Sequence, residues 1–215
     1  MKYILSIQTA EFPNSIALLQ EDGKLLEEKV IEAREKTDQL IQELVSMLFK
    51  KYKVGTKDIE MVGVCLGPGS YTGLRVGLAF AKGFCQFNGC KVIGVDAFET
   101  LSEGNNKSIP LIDAKNRRAY YKLGNKIKVD DLKIAGKELK LKKGSNLFGS
   151  GAVQNEAFLR QEFKVEDISN DSEVHRLSAI SVGKVALEKV DKYKVDLFKI
   201  EPIYVQEANI TKSKK

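Results

Sequence analysis

The sequence predicts an α/β protein built on a sheet of mixed direction, and three observations carry that prediction. Three strand-like runs open the chain, residues 2–7, Ser15–Leu19 and Lys24 to about Ile31, joined by a loop at Pro13-Asn14 and a turn at Asp22-Gly23. A long helix-period stripe follows. Buried strand and helix then alternate from Ile59 to Leu101. An antiparallel meander that feeds alternating helix and strand makes a mixed sheet.

The elements follow in order. Leu40, Ile41, Leu44, Val45, Leu48, Phe49 and Tyr52 recur at helical steps, so an amphipathic helix is expected there, capped near Thr37 and stopped near Gly55. Ile59–Leu66 is apolar enough for a strand buried on both faces. It runs into Gly67-Pro68-Gly69-Ser70-Tyr71-Thr72-Gly73, after which Leu74–Phe87 reads as a helix, Val92–Val95 as a short strand and Ala97–Leu101 as the start of another helix. Gly104-Asn105-Asn106-Lys107 is a loop signal. It divides the chain into an expected first lobe, 1–104, a second lobe, 105–211, and a basic tail, 212–215. In the second half Ile109–Asp113 and Ala119–Leu123 read as strands, and lysine-rich alternating stretches run to Lys143. Ser145–Gly151 is a glycine-containing turn, and Val153–Phe163 and Ser178–Val190 are helical. No repeat at solenoid periods is present.

Composition sets limits on the chemistry. With 215 residues the chain can bury a real core without staples. Its single histidine, His175, excludes any site with two or three His ligands from one chain and reads as a surface or loop residue. The three cysteines, Cys65, Cys85 and Cys90, are odd in number and show no C-x-x-C spacing, so they are expected to be free thiols in a reducing cytosol. No signal peptide and no membrane-length apolar run is visible, so a cytoplasmic protein is expected. The net charge of +6 invites a nucleic-acid reading, but its distribution does not favour one. Residues 1–121 carry +1, residues 122–143 carry +5, residues 144–211 carry −3 and the last four carry +3. Only 6 of the 35 basic residues are arginine, the better side chain for bidentate phosphate recognition. A peripheral patch that steers RNA is the most this supports.

The most informative segment is Gly67–Phe87. Gly67, Gly69, Ser70, Thr72 and Gly73 form a candidate phosphate or nucleotide loop, because a turn between strand and helix can aim backbone N–H groups at an anion. The spacing G-x-G-x-x-x-G is neither a P-loop nor a dinucleotide fingerprint, and a tight turn that lets strand and helix pack closely is the plainer explanation of the glycines. In the helix that follows, Gly73, Gly77 and Ala81 recur every four residues. They suit either packing on the chain's own sheet or close approach of a second protein. Asp113 reads as a structural strand-end acid. Arg117-Arg118 with Tyr120-Tyr121 reads as a hairpin end before it reads as an RNA site.

The run from Gly67 to Gly83, GPGSYTGLRVGLAFAKG, resembles the signature of the bacterial TsaB (YeaZ) family. Further resemblances lie at Ile4–Thr9, Pro110–Tyr120, Phe148–Ala152 and Glu201–Gln206, while 122–143 matches nothing in that family. The resemblance implies an actin-like ATPase fold of the sugar-kinase and Hsp70 superfamily, with two lobes on ribonuclease-H-like mixed sheets. It implies a non-catalytic subunit in the synthesis of threonylcarbamoyladenosine beside the tRNA anticodon. The implied partners are a TsaD-like paralogue, which holds the metal and transfers the threonylcarbamoyl group, and a TsaE-like ATPase, with tRNA engaged indirectly. A homodimer of the isolated chain is a further implication. Pairing through the first lobe would use Leu40, Leu44 and Leu48 of one helix, and Gly73, Arg75, Val76, Gly77, Ala79, Phe80, Lys82 and Gly83 of the next.

Two departures bear on chemistry. Gln8 stands where active relatives carry an acid that positions a metal–nucleotide complex, and an amide cannot supply that charge. Lys36-Thr37-Asp38 stands where metal-binding histidines lie in TsaD-like chains. No catalytic residue, metal or cofactor of its own is therefore expected, with ATP or ADP entering only at the level of a complex. The competing classes are an autonomous nucleotide-binding ATPase or kinase, a glycoprotease-type metallopeptidase and an RNA-binding module.

Overall fold

A computed structural model describes residues 1–32, 37–103, 108–169, 175–190, 197 and 199–205. The expected lobe boundary at 104–107 and the basic tail fall outside them. The first sheet has five strands, β1 (Tyr3–Gln8), β2 (Asn14–Gln20), β3 (Leu25–Ile31), β4 (Ile59–Gly67) and β5 (Lys91–Asp96). Their spatial order is β3-β2-β1-β4-β5. The first three are antiparallel neighbours, and β4 and β5 run parallel to β1. Side chains alternate between two apolar layers. Ile4, Leu19, Met61 and Ile93 face one core, while Leu5, Ile7, Leu18, Val62 and Val92 face the other. Burial on both faces explains why β1 and β4 read as mostly apolar runs.

Helices α1 (Thr37–Tyr52) and α2 (Tyr71–Asn88) cover one face. The other is covered by α3 (Ala97–Leu101) and by α7 (Ala179–Lys189), which returns from the far end of the chain. A Cβ on Gly63 of β4 would lie 2.9 Å from the Ala186 Cβ, and one on Gly183 would lie 2.7 Å from Leu19 Cδ1. The helix thus packs directly on the sheet. Buried polar groups seat its first turn: Ser6 Oγ donates to the Ala179 carbonyl at 2.6 Å, and the Ala179 N–H reaches Ser15 Oγ at 2.9 Å. Residues 179–189 therefore pack on the first sheet although they follow the expected boundary in sequence.

The second sheet repeats the first. The expected strand Ile109–Asp113 is interrupted at Leu111, giving β6 (Ile109–Pro110) and β7 (Ile112–Asp113). β7 pairs antiparallel with β8 (Arg118–Leu123), and β8 with β9 (Lys126–Asp131). On the other side β6 pairs parallel with β10 (Asn146–Phe148), and β10 with β11 (Asp167–Ile168). The Leu111 N–H donates to the Phe148 carbonyl at 2.9 Å and bridges the interruption. Taking β6 and β7 as one strand, the order is again 3-2-1-4-5. The lysine-rich stretch differs from its alternating pattern. After β9 it forms a helix, α4 (Leu132–Glu138), capped by Asp131 and buried at Leu132 and Ala135. Helices α5 (Ser150–Gln154) and α6 (Glu156–Phe163) complete this lobe.

Candidate functional site

The loop between β4 and α2 is shaped by close backbone approach. Gly67 has φ +102° and lies against Leu74. A Cβ on Gly69 would stand 2.2 Å from the Ala10 carbonyl oxygen, and one on Gly73 would stand 2.0 Å from that of Thr9. Ser70 caps α2 by accepting the Gly73 N–H at 3.2 Å, while its own N–H donates to the Ala10 carbonyl at 2.7 Å. Two donors that an anion would need are thus engaged within the chain. Gly69, Ser70, Thr72 and Gly73 do line a cleft of about 520 Å³ between the lobes, whereas Gly67 does not.

The opposite wall of that cleft is polar and acidic. Asp113 and Lys115 form an ion pair at 2.6 Å, and the Asp113 N–H donates to Ser150 Oγ at 2.9 Å. Ser150 in turn donates to Glu11 Oε1 at 2.6 Å, joining the loop after β1 to the start of α5. Burial, reinforced by the Asp113 charge against the opposing pull of Ser150 and Lys115, pushes the Glu11 carboxyl up to about 7. Gln8 is fully buried, and its Nε2 donates to the carbonyls of Glu11, Pro13 and Leu177 at 3.0–3.1 Å. Its amide is spent on the chain itself. A phosphate group entering this cleft would meet loop donors that are already engaged, together with the carboxyl groups of Glu11 and Asp113. Among the described residues no cluster of three or more His, Cys, Asp or Glu could hold a metal.

The Gly73–Gly77–Ala81 stripe faces inward. A Cβ on Gly77 would stand 2.3 Å from Thr9 Oγ1, and Ala81 is fully buried. Leu48 is fully buried as well, and Leu40 and Leu44 are half-buried between α1 and the sheet. Gly77 and Leu48 therefore serve the chain's own core, and their small or apolar character has an internal cause. The outward face of α2 is a different stripe. Ala79 and Gly83 are exposed, a Cβ on Gly83 would meet no described residue within 4 Å, and Phe87 is 85% exposed. With Val76 and Phe80 these residues line a shallow apolar groove of about 530 Å³ beside Asp38 and Gln42 of α1. Lys82 is half-buried and does not line the groove.

Arg75 is exposed but not idle. It stacks over the Tyr71 ring at 4.0 Å and donates from Nε to the Tyr204 hydroxyl at 2.9 Å. The chain near residue 203 is laid along β4, the Ile203 N–H donating to the Leu66 carbonyl. The other candidates separate. Tyr121 is fully buried, with its hydroxyl near Asp130 and Glu138, while Arg117 sits on an exposed hairpin tip with its guanidinium 5.9 Å from the Phe158 ring, so the four residues do not share one surface. His175 is half-buried: Nδ1 accepts the Gly149 N–H at 2.9 Å and Nε2 lies 2.6 Å from the Ser169 carbonyl. It ties loops together rather than facing solvent. Cys85 and Cys90 form a disulfide, which corrects the expectation of free thiols. Gly89 ends α2 in a left-handed turn, bringing the two Cα atoms within 4.7 Å. Cys65 is buried and free, its thiol pushed up to about 12 by desolvation.

Two lobes repeating one ribonuclease-H-like strand order around a polar cleft define an actin-like α/β protein. A family model, "TsaD: tRNA N6-adenosine threonylcarbamoyltransferase", matches residues 31–169. The chain is 29% identical to the tRNA threonylcarbamoyladenosine biosynthesis protein TsaB of Bacillus subtilis, over 54% of this chain and 52% of that protein. It thus spans about half the length of that relative. A protein of the same name from Buchnera aphidicola is 26% identical over 96% of this chain and 99% of its own. YeaZ from Pseudomonas aeruginosa superposes with a TM-score of 0.73 at 18% identity, covering 95% of this chain and all of that structure, and so shares the fold. The chain belongs to this threonylcarbamoyltransferase family, in its TsaB (YeaZ) branch.

Proposed function

We propose that this chain is a TsaB-like, non-catalytic subunit that pairs with a TsaD-like threonylcarbamoyltransferase in the synthesis of threonylcarbamoyladenosine in tRNA. The observation that carries the pairing is the outward face of α2. A glycine in mid-helix costs about 1 kcal/mol relative to alanine. At Gly83 no described residue uses the space. A second helix arriving over Ala79 and Gly83, with Phe80 and Phe87 at its flanks, would use it. The engaged Gln8 amide and loop donors support a scaffold role, in which ATP or ADP enters through other members of the complex, including a TsaE-like ATPase. Such a subunit works in the cytoplasm, meets tRNA only through the complex, and can self-associate through the same face when alone. Among the described residues no helix is long and apolar enough to cross a membrane.

Co-expression with the TsaD-like paralogue of the same cell tests the reading. A stable complex in size-exclusion chromatography, lost on Ala79→Arg, supports it. Two folded proteins that elute separately sink it.

A further inference from the structure

Cys85 and Cys90 are placed for chemistry that neither the fold nor the proposed pairing requires. Cys85 lies in the last full turn of α2 and is 2% exposed, packed in the core under α1 and α2. Cys90 follows the left-handed Gly89 and is only half-buried. The bridge closes a loop with four residues between its cysteines, and that loop carries Phe87 and Asn88, which line the α1–α2 groove. Cys90 is thus the more accessible residue of the pair and Cys85 the more shielded. The third cysteine, Cys65, is buried in the opposite core layer and takes no part.

We propose that Cys85 and Cys90 form a thiol–disulfide exchange site for small disulfides and dithiols, and that its state sets the order of residues 86–89 at the end of the groove. In the oxidising direction the Cys90 thiolate attacks one sulfur of an external disulfide such as oxidised glutathione, forming a mixed disulfide and expelling one thiolate. The Cys85 thiolate then attacks the Cys90 sulfur, closing the bridge and expelling the second. Two protein thiols are oxidised, one external disulfide is reduced, and the two protons lost by the cysteines end on the expelled thiols. Reduction runs the same steps backwards, with attack at the sulfur of Cys90, the more accessible residue. In a reducing compartment a bridge in a protein with ample core is more often reversible than structural. Any consequence for partner binding rests on the pairing reading above; the exchange chemistry does not.

The test uses the full chain equilibrated with reduced or oxidised glutathione, quenched by alkylation and read by mass spectrometry. Hydrogen exchange of residues 86–90 is measured in parallel. With the alkylation carried out in denaturant, Cys85 and Cys90 should both be labelled from reduced glutathione and neither from oxidised, Cys65 being labelled from both. Exchange at 86–90 should be about tenfold faster when the bridge is open, since closing even a short loop removes that much freedom. Cys90→Ser should show the fast exchange in both buffers. A bridge that persists in reduced glutathione, a pair that stops at a mixed disulfide on Cys90, or identical exchange in both states overturns the proposal. None of these readouts uses a partner, so failure of pairing and failure of this site are separate results.

Discussion

At the scale of single residues, the informative groups are those whose polar atoms are spent inside the chain. Gln8 marks the loss of a charge in the sequence, but only the fold shows what replaced it: an amide nitrogen whose two N–H groups are shared among three surrounding backbone carbonyls. Glu11 and Ser150 gave no signal at all, because 139 positions separate them and only the closing of the lobes brings them to 2.6 Å. The Glu11 carboxyl, raised from 4.5 to about 7, binds its proton more tightly folded than unfolded. Its contribution to stability is complete below about pH 4.5 and is lost as pH rises through 7. Glu11→Gln keeps the acceptor for Ser150 without the charge. Urea unfolding should show equal stability of the two proteins near pH 4.5 and an advantage of about 1–3 kcal/mol for the variant near pH 8. Gly77 gives a second prediction. Its missing Cβ leaves room for Thr9 Oγ1, which donates to the Gly73 carbonyl at 2.7 Å. Gly77→Val should lower monomer stability by about 2–3 kcal/mol in denaturant unfolding, whether or not a partner is present.

At the scale of elements, most of the first sheet and its helices were legible because β1, β2 and β4 are long, mostly apolar and bounded by turn residues, and α1 keeps its stripe for four turns. What misled was the direction in which a stripe points. Spacing puts Gly73, Gly77 and Ala81 on one face of α2 but does not say whether sheet or solvent lies there, and the sheet claims them. The outward pair, Ala79 and Gly83, also stands four apart, inside the same seventeen-residue signature. Helix α4 was hidden because its seven residues include three lysine or glutamate side chains and a glycine, too short and too polar for a clear period. The disulfide was invisible because it depends on the left-handed turn at Gly89. Two substitutions at one outward position separate intrinsic from extrinsic roles. Gly83→Ala meets open space and should raise helix stability by about 0.5–1 kcal/mol, read as a higher urea midpoint. Gly83→Arg should leave the monomer within about 0.5 kcal/mol of that and weaken binding of the TsaD-like paralogue at least about a hundredfold by calorimetry. Unchanged affinity would move the pairing surface elsewhere.

At the scale of the whole molecule, two sheets of one order carry very different surfaces. The first lobe is nearly neutral, and the second holds the lysine-rich stretch that dominates the net charge. Folding disarms much of that stretch. Lys122 reaches Asp96 across the lobes at 2.8 Å, Lys128 pairs with Glu138, Lys133 with Glu162 and Lys143 with Glu166. Four of its eight lysines are thus held against carboxylates, and an RNA phosphate would have to displace them. Each phosphate neutralised contributes a little under one unit to the slope of log affinity against log salt. The isolated chain should therefore bind tRNA with a slope of about −3 or shallower, measured by filter binding between low and physiological salt. Replacing Lys126, Lys137, Lys140 and Lys142 together by Gln should flatten that slope while leaving the elution of the complex with the TsaD-like chain unchanged. A slope as steep as about −6, or a complex that no longer forms, would mean that the second lobe reads RNA or partner directly and is more than a carrier for the first.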